Sequence, residues 1–310
     1  MIRALKYLPS QEGFLGLDAD ASDPAKARAV VIPFGLEASV TYGGGTRLGP
    51  ASILSASHQV ELFDDELWCE AYKEYGVATV EEPLIPASLS DALDVLEALV
   101  GEILAQHRFP CVLGGEHALT AGAIRPFAKR YRDLVILQFD AHADLRDGYA
   151  GEHYSHAAAM RRCLDFPIEL VGLGIRNISQ EESEFLEANS SRVRLHWARK
   201  KRDWDLEEIV APLRGRPVYV TFDVDGFDAS LIPATGTPEP GGLFWDDVMP
   251  VLQRVAEEAT IVGADVTELA PRPELAACDF IAAKLVYKLL NYALVPKAFR
   301  DRAGNSAAPC

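Results

Sequence analysis

The sequence has 310 residues, of which 49% are hydrophobic and 25% are charged. This balance excludes a disordered or fibrous chain, and the length is enough for one large α/β domain with a substantial core. The formal net charge of -16 disfavours binding to nucleic acid phosphates or anionic membranes and favours cationic partners or substrates.

The N-terminal stretch and the cysteines bear on the cellular compartment. Residues 1–20 lack the apolar core of a signal peptide, and no apolar run approaches the ~18 residues that a membrane helix needs. The five cysteines are scattered and lack CxxC spacing, which argues against a disulfide framework or a thiolate zinc site. We therefore expect a cytoplasmic protein that binds neither nucleic acid nor membrane.

Apolar runs typical of buried strands alternate with helical patterns along the chain. The predicted strands are residues 27–35, 75–83, 109–117, 133–144, 166–177, 192–200, 216–228 and 260–271. Residues 91–107 have the helical period, and residues 276–294 form a strongly apolar late helix. The alternation predicts an α/β fold with a mostly parallel sheet. Eight strands also suit a closed (β/α)8 barrel, and periodicity does not separate the two.

The domain organisation is simple, because the chain has no low-complexity linker and no internal repeat. We predict a single domain over residues 1–310. Its core spans residues 27–295, after an N-terminal extension of residues 1–26 and before a polar tail of residues 296–310. Pro296, directly after the apolar late helix, marks the end of the core.

The unusual polar residues of the core follow the carboxyl ends of predicted strands, where ligands bind in parallel sheets. They are His117 in "GGEH", Asp140, His142 and Asp144 in "FDAHADLRD", Asp223 and Asp225 in "FDVDGFD", and Glu268 in "DVTELAP". If the fourth strand continues past residue 140, its aspartates and histidine share one side, while Ala141 and Ala143 point the other way. The polar side chains are therefore predicted to converge.

Four aspartates this close cannot all stay ionised without cations. Two divalent cations would balance their total charge of -4, and His117 and His142 would add neutral nitrogen ligands. A water bridging two such ions loses a proton near neutral pH and becomes a hydroxide nucleophile. Oxygen and imidazole donors without thiolate fit manganese, or a similar hard ion, better than structural zinc. We therefore predict a dinuclear metal centre.

Several segments together resemble the ureohydrolases, the arginase/agmatinase superfamily. The segments are "GGEHALT", "FDAHADLRD", "HYSHAAAMRR", "TFDVDGFDAS", "ATGTPEPGGL" and "DVTELAP". The resemblance extends from residues 31–50 to residues 280–290, nearly the whole chain, with three metal-binding motifs in the family's order. "GTPEPGG" and "TYGGGT" are more similar to agmatinases than to arginases.

The resemblance implies a fold, a cofactor and an assembly. The fold would be a three-layer α/β/α sandwich with an eight-stranded, mostly parallel sheet. The cofactor would be two Mn²⁺ ions per chain, one held by His117, Asp140, Asp144 and Asp223 and the other by Asp140, His142, Asp223 and Asp225. The assembly would be a homotrimer or a homohexamer.

The same resemblance implies three catalytic residues. Asp144 would orient the hydroxide, Glu268 would accept hydrogen bonds from a substrate guanidinium, and His156 would also contact the substrate and pass a proton to the leaving amine. Ala157 follows that histidine, whereas arginases and many agmatinases have glycine there, a departure that concerns the local backbone more than the chemistry. His153 is a competing proton carrier, with an exposed loop position as its alternative role.

We expect a small cationic guanidine as substrate, because its planar positive group complements a cluster left near -1 by two cations and a hydroxide. Attack on the central carbon would release urea and a primary amine. The stretch "LRDGYAGEHYSHA" lacks the asparagines with which arginases often bind the arginine tail. We therefore predict hydrolysis of agmatine to putrescine and urea, within polyamine synthesis. Glu152 and Glu239 are candidates for binding the tail amine.

Other substrates and other classes of protein stay open. Within the superfamily, the alternatives are N1-aminopropylagmatine, guanidinobutyrate, guanidinopropionate, guanidine and arginine. A histone-deacetylase-like amide hydrolase would use a similar architecture with a single zinc ion, and a non-catalytic relative would bind metal without turnover. The complete set of "GGEH", "DAHAD" and "DVD" motifs favours a two-ion enzyme over both.

Overall fold

The computed structural model describes residues 5–295, and eight strands within them form one sheet. The strands are β1 (Ala29–Phe34), β2 (Val77–Thr79), β3 (Phe109–Gly114), β4 (Val135–Phe139), β5 (Glu169–Ile175), β6 (Val193–Trp197), β7 (Pro217–Asp223) and β8 (Thr260–Thr267). Their order is β2-β1-β3-β8-β7-β4-β5-β6, and all neighbours pair in parallel. The open parallel sheet is confirmed. The barrel alternative is wrong, because β2 and β6 are separate edges and do not pair with each other.

Helices cover both faces of this sheet. Within the described residues they are α1 (Gly49–Ser57), α2 (Tyr72–Tyr75), α3 (Leu89–Ala105), α4 (Thr120–Arg130), α5 (Ala159–Cys163), α6 (Gln180–Ala188), α7 (Leu206–Val210), α8 (Trp245–Glu258) and α9 (Ala276–Leu294). The late helix α9 has the predicted bounds, and α3 begins two residues before the predicted start, after its N-cap Ser88. None of the helices in this part of the chain is long and apolar enough to span a bilayer.

The core consists of two apolar clusters, one on each face of the sheet. Ala29 and Val31 of β1 belong to the cluster that includes residues of α8 and α9. Val30 and Ile32 belong to the cluster that includes residues of α3 and α4. Each fully buried Val or Ile stabilises the fold by roughly 1.5–3 kcal/mol, which is why the central strands read as continuous apolar runs. The predicted three-layer α/β/α architecture is confirmed.

All eight strands are shorter in the structure than predicted, and the shortening of β4 and β2 changes the interpretation most. β4 ends at Phe139 rather than at residue 144, so the polar residues after it lie on a loop, and strand alternation does not explain how they converge. β2 spans only Val77–Thr79, because Tyr72–Tyr75 is helical and because this strand lies at an edge of the sheet. β7 ends at Asp223 rather than at residue 228, and the remaining strands end closer to their predicted limits.

The predicted N-terminal extension packs on the core as far as it is described. Phe14, Leu15 and Leu17 are buried in the same cluster as the α9 side chains. Residues 1–4 and the predicted polar tail, residues 296–310, lie outside the described part of the chain. A single domain over the whole sequence therefore stays a prediction.

The described cysteines fall into two groups. Cys111, Cys163 and Cys278 are buried free thiols, and burial raises the pKa of each. A raised thiol pKa suits a small core residue rather than a metal ligand or a nucleophile. Cys69 is disulfide-bonded, a bond that the sequence pattern did not predict.

Candidate metal centre

The carboxyl ends of the four central strands meet at one edge of the sheet, in the order β3, β8, β7 and β4. His117 follows β3 and Glu268 follows β8. Asp223 is the last residue of β7, and Asp140 follows β4 directly. The topology therefore brings together motifs that are far apart in the sequence, at the edge where parallel sheets bind ligands.

Nδ1 of His117 faces three carboxylates. It lies 2.9 Å from Oδ2 of Asp144, 3.1 Å from Oδ2 of Asp140 and 3.5 Å from Oδ2 of Asp223. All four side chains are buried, and Nδ1 has no hydrogen-bond partner. A buried ring nitrogen among three carboxylates is stable only if it carries a proton or shares a cation with them.

A second set of donor atoms forms around His142. Nδ1 of this ring lies 3.0 Å from Oδ2 of Asp225 and 3.7 Å from Oδ1 of Asp140. Ligand atoms within 4.8 Å of one another occur in two sets, which are His117, Asp140 and Asp223, and Asp140, His142 and Asp225. Asp140 belongs to both sets, which is the arrangement that two ions sharing a carboxylate require.

Hydrogen bonds fix the orientation of the carboxylates. Asp140 accepts from the backbone N–H of His142 at 2.6 Å through Oδ1 and from Nε2 of Gln138 at 2.8 Å through Oδ2. Oδ1 of Asp225 accepts from the backbone N–H of Ala141 at 3.0 Å. Because these bonds are local or link neighbouring strand ends, the donor atoms are held in place before any ion binds.

The backbone around the cluster is strained at two of the predicted site residues. Asp144 has φ 52° and Glu268 has φ 66°, a left-handed conformation that costs about 1–3 kcal/mol in a non-glycine residue. Gly226 allows the loops after β4 and β7 to approach, since a Cβ there would lie 2.7 Å from the backbone nitrogen of Asp140. This local geometry, rather than an extended strand, produces the convergence.

The pKa values of the cluster reflect its excess of negative charge. Burial raises the pKa of Asp144 and of Asp223, and neighbouring carboxylates raise it further. For His117 and His142, burial lowers the pKa, but the close approach of the carboxylates to both rings outweighs this and raises it. A site that attracts positive charge in this way, with oxygen and imidazole donors, fits two divalent cations.

A buried carboxylate behind His117 was not predicted from the sequence. Oγ1 of Thr221 donates to Oδ1 of Asp265 at 2.6 Å, so it accepts a hydrogen bond from Nε2 of His117, 2.8 Å away. Thr120 and Tyr219 also donate to Asp265, at 2.9 and 2.7 Å. This series of hydrogen bonds fixes the proton of the neutral His117 imidazole on Nε2. The lone pair of Nδ1 then faces the cluster. Asp265 lies on β8 among apolar residues, and this isolated acidic residue was the feature of the sequence that could have indicated its role.

Glu268 and the predicted tail-binding carboxylates are placed differently. Oε1 of Glu268 accepts the backbone N–H of His117 at 2.6 Å, and its side chain lines the pocket above the cluster. Glu239 also lines this pocket, and its Oε1 accepts from Nδ2 of Asn177 at 2.7 Å. Glu152 is not among the lining residues. Its side chain accepts the backbone N–H of Tyr154 at 3.0 Å, and its contact with the substrate tail stays a prediction.

The lining residues that the sequence did not predict include Arg146, Tyr149 and Asn177. Arg146 has its guanidinium 5.2 Å from the ring centre of Tyr149 and 3.9 Å from Oε2 of Glu182. Both Arg146 and Tyr149 lie in the stretch "LRDGYAGEHYSHA", whose lack of asparagine was its predicted feature. Asn177 is the last residue of the predicted strand 166–177 and lies just past the end of β5 at Ile175, a position where ligand-facing residues are expected.

The two candidate proton carriers, His156 and His153, lie in different environments. His156 lines the pocket, with Nε2 2.8 Å from Oγ1 of Thr41 and Nδ1 3.1 Å from Oγ of Ser39. Burial, and then the positive charges nearby, lower the pKa of His156 to about 4, so the ring is neutral at pH 7. His153 is exposed, lies outside the pocket lining and contacts Nη1 of Arg162 at 2.7 Å through Nδ1.

Comparisons with known proteins identify the family of this chain. The model of the Arginase family matches residues 27–291. The chain is 34% identical over 298 residues to an N(1)-aminopropylagmatine ureohydrolase of Synechocystis, covering 93% of this chain and 95% of that protein. It is 33% identical over 265 residues to an agmatinase of Bacillus subtilis, covering 84% of this chain and 90% of that protein.

Solved structures show the same fold. The agmatine ureohydrolase of Thermoplasma volcanium superposes with a TM-score of 0.78 at 28% identity, covering 94% of this chain and 95% of that one. The proclavaminate amidino hydrolase of Streptomyces clavuligerus superposes with a TM-score of 0.80 at 25% identity, with the same coverage of 94% and 95%. Arginase-family proteins use a binuclear metal centre, and the two sets of donor atoms suit one. The chain belongs to the Arginase family of ureohydrolases, which hydrolyse C–N bonds.

Proposed function

We propose that the protein hydrolyses a linear guanidine with two manganese ions. The observation that carries the proposal is the pair of imidazole–carboxylate sets that share Asp140 at the floor of one pocket. Oxygen and imidazole donors without thiolate favour manganese, and the pairing of two sets favours two ions over the single zinc of a deacetylase-like hydrolase. When bound, such ions lower the pKa of water and supply a hydroxide nucleophile at neutral pH.

The surrounding side chains suit the remaining tasks of this reaction. We infer that Asp144 orients the attacking hydroxide, and its Oδ2, 2.9 Å from Nδ1 of His117, supports this role. Glu268, buried in the pocket, accepts hydrogen bonds from the planar guanidinium, which carries the complementary positive charge. His156, neutral at pH 7, carries a proton to the amine that leaves.

We propose agmatine as the substrate, cleaved to putrescine and urea. The carboxylate of Glu239 supports this choice, because Asn177 holds it in the pocket that contains the donor cluster, where it suits a tail ammonium group. The name of the Bacillus subtilis relative, an agmatinase at 33% identity, supports it as well. The net charge of -16 favours a cationic substrate over carboxylated guanidines.

N1-aminopropylagmatine is the second candidate, since the Synechocystis relative with 34% identity over 93% of this chain is named for that substrate. It shares the guanidine end of agmatine and adds a longer cationic tail. Tyr42, 86% exposed, lines the pocket, and the longer tail would extend past this residue toward solvent. The chemistry at the metal centre would be the same.

The wider setting of the enzyme follows from the family resemblance. We propose a homotrimer or homohexamer of single-domain chains in the cytoplasm, without nucleic acid or membrane partners. Its product would enter polyamine synthesis.

The experiment that tests the function is urea release from a panel of guanidines. The purified chain, loaded with manganese, is incubated with agmatine, N1-aminopropylagmatine, guanidinobutyrate, guanidinopropionate, guanidine and arginine. We expect agmatine or N1-aminopropylagmatine to give the highest kcat/KM, and chelation of the metal to abolish release. Absence of urea from every compound, or one zinc ion per active chain, would contradict the proposal.

A further inference from the structure

Ser39 links the imidazole of His156 to a buried carboxylate. Oγ of Ser39 donates to Oε1 of Glu116 at 2.8 Å. The other oxygen of that carboxylate, Oε2, accepts the backbone N–H groups of Ala38 at 2.6 Å and of Ser39 at 2.7 Å. Glu116 is 0% exposed. The two oxygens of Glu116 therefore have different partners, and only Oε1 faces the serine hydroxyl.

These contacts determine the direction of the hydrogen bond to His156. Oγ of Ser39 lies 3.1 Å from Nδ1 of His156 and accepts the backbone N–H of the same residue at 3.0 Å. The hydroxyl has one proton, and Glu116 accepts it, so the serine oxygen can only accept from Nδ1. Nδ1 must then carry the proton of the neutral ring. Oγ of Ser155 is also near Nδ1, at a longer distance of 3.4 Å.

The second ring nitrogen faces the pocket. Oγ1 of Thr41 lies 2.8 Å from Nε2 of His156, and both residues line the pocket, whereas Ser39 does not. If Nδ1 carries the proton, Nε2 has a free lone pair and the threonine hydroxyl donates to it. The nitrogen that can accept a proton is thus the one on the substrate side.

We propose that Ser39 and Glu116 are positioning residues that hold His156 in the Nδ1–H tautomer, so that Nε2 exchanges the proton during catalysis. The inference rests on the proposed function, in which His156 serves the leaving amine. Nε2 takes a proton that originates from the attacking water. As the C–N bond breaks and its electron pair moves to the amine nitrogen, Nε2 returns that proton to this nitrogen. The ring ends in its starting tautomer.

Glu116→Gln reverses the direction of the hydrogen bonds that run from residue 116 through Ser39 to His156, with little change in the shape of the side chain. The position of Oε2 accepts two backbone N–H groups, so the amide oxygen must take it and the NH₂ group must face Ser39. The serine then accepts from the amide and turns its proton to Nδ1 of His156. The variant is expected to hold the Nε2–H tautomer, which has no lone pair toward the pocket.

Neutron crystallography of the deuterated, manganese-loaded enzyme reads the tautomer directly. We expect deuterium on Nδ1 of His156 in the wild type and on Nε2 in Glu116→Gln. Deuterium on Nε2 alone in the wild type, or no change in the variant, would overturn the proposal. This readout does not depend on turnover, so it remains decisive even if no guanidine in the panel proves to be a substrate.

Kinetics provide the second readout. Ser39→Ala and Glu116→Gln are expected to lower kcat by roughly 10–100-fold, the range seen for residues that orient a catalytic group, with KM changed less than about twofold. Ser39→Thr keeps the hydroxyl and should restore most of kcat. Ser155→Ala is the matched control, because it removes a hydroxyl near the same nitrogen that has no link to Glu116. Manganese content is measured in every variant, because Glu116 precedes the candidate ligand His117.

A double-mutant cycle separates positioning from a general structural role. In a His156→Ala background, Ser39→Ala should change kcat by less than about twofold, because its effect acts through the missing imidazole. An equal loss in both backgrounds would overturn the proposal. If His156→Ala alone retains full turnover, the proton-transfer role of His156 in the proposed function fails, and with it the assignment of Nε2 as the exchanging atom.

Discussion

At the residue scale, the clearest indication of a cation site is His117, whose Nδ1 lies within 3.5 Å of three carboxylates. We predict that His117→Ala and Asp223→Ala lose bound manganese and lower ureolysis by more than roughly 100-fold, beyond the range of outer residues that only orient ligands. Metal analysis and urea release measure the two effects. The fold should persist, because the site lies at the strand ends and not in the apolar clusters.

A matched histidine variant controls for this experiment. His58 is exposed and bonds the backbone oxygen of Gly13 at 2.9 Å, outside the pocket lining. His58→Ala should keep both ions and full turnover. If His117→Ala or Asp223→Ala remained fully active under the same conditions, the assignment of the metal ligands would have to be abandoned.

At the scale of elements, α9 is tied to the loop after α1 by a buried ion pair. Nζ of Lys288 lies 2.9 Å from Oδ1 of Asp64, and the two residues are 2% and 0% exposed. Nδ2 of Asn291 donates to Oδ2 of Asp64 at 2.7 Å. We predict that Lys288→Met lowers the free energy of unfolding by about 3–5 kcal/mol, because it leaves a buried carboxylate without its counter-charge. Urea denaturation at pH 7 measures the loss.

The pH dependence of that loss has a definite sign. Burial raises the pKa of Asp64, but Lys288 and hydrogen bonds outweigh it and hold the pKa below its ordinary value of 3.8. The pair therefore stabilises the fold above about pH 4, and this contribution disappears as pH falls through the lowered pKa. The difference between wild type and Lys288→Met should shrink toward acid pH. Lys129→Met, which removes an exposed partner of Glu97, should cost under about 1 kcal/mol.

Elements and sites differ in how far the sequence predicts them. The apolar runs predicted all eight strands, and the period of residues 276–294 predicted α9 with its bounds. The end of β4 was misplaced, because the small residues Ala141 and Ala143 continue an alternating pattern although the chain has already left the sheet. The motifs identified the donor residues, since carboxylates and imidazoles at strand ends are conspicuous among apolar neighbours.

The supporting residues could not be predicted in the same way. Ser39 and Glu116 are 77 positions apart and meet only because the loop after β1 folds over the end of β3. Thr221 and Asp265 face each other because β7 and β8 pair in register at these positions. Serines, threonines and single acidic residues are common in every chain, so only the three-dimensional pairing distinguishes these four.

At the scale of the whole molecule, the fold gathers negative charge at one edge of its sheet and leaves it uncompensated. The chain has 46 acidic and 30 basic residues. In the cluster, burial and neighbouring carboxylates raise the pKa of Asp144, Asp223 and Glu268. Burial lowers the pKa of His117 and His142, but the neighbouring carboxylates outweigh this and raise it. The protein without metal is thus expected to take up protons at the position where the metal-loaded protein holds cations.

Because protons and cations occupy the same cluster, the loss of stability on metal removal is predicted to depend on pH. Groups whose pKa is raised on folding stabilise the metal-free fold below their ordinary pKa, and this stabilisation is lost as pH rises through the raised values. For Glu268, that window runs from its ordinary 4.5 to about 8. Manganese needs deprotonated ligands, so its stabilising effect grows over the same window. The Tm difference between manganese-loaded and chelator-treated protein should therefore be larger at pH 8 than at pH 5.5.

Calorimetry at a fixed manganese concentration measures this difference. The repulsion among the remaining surface charges acts on both forms and cancels in the comparison, so the change reports on the cluster itself. Asp223→Ala, which removes a carboxylate of the first set, should show only a small Tm difference at either pH. A Tm difference in the wild type that is constant with pH, or larger at pH 5.5, would mean that manganese does not bind at these carboxylates and imidazoles.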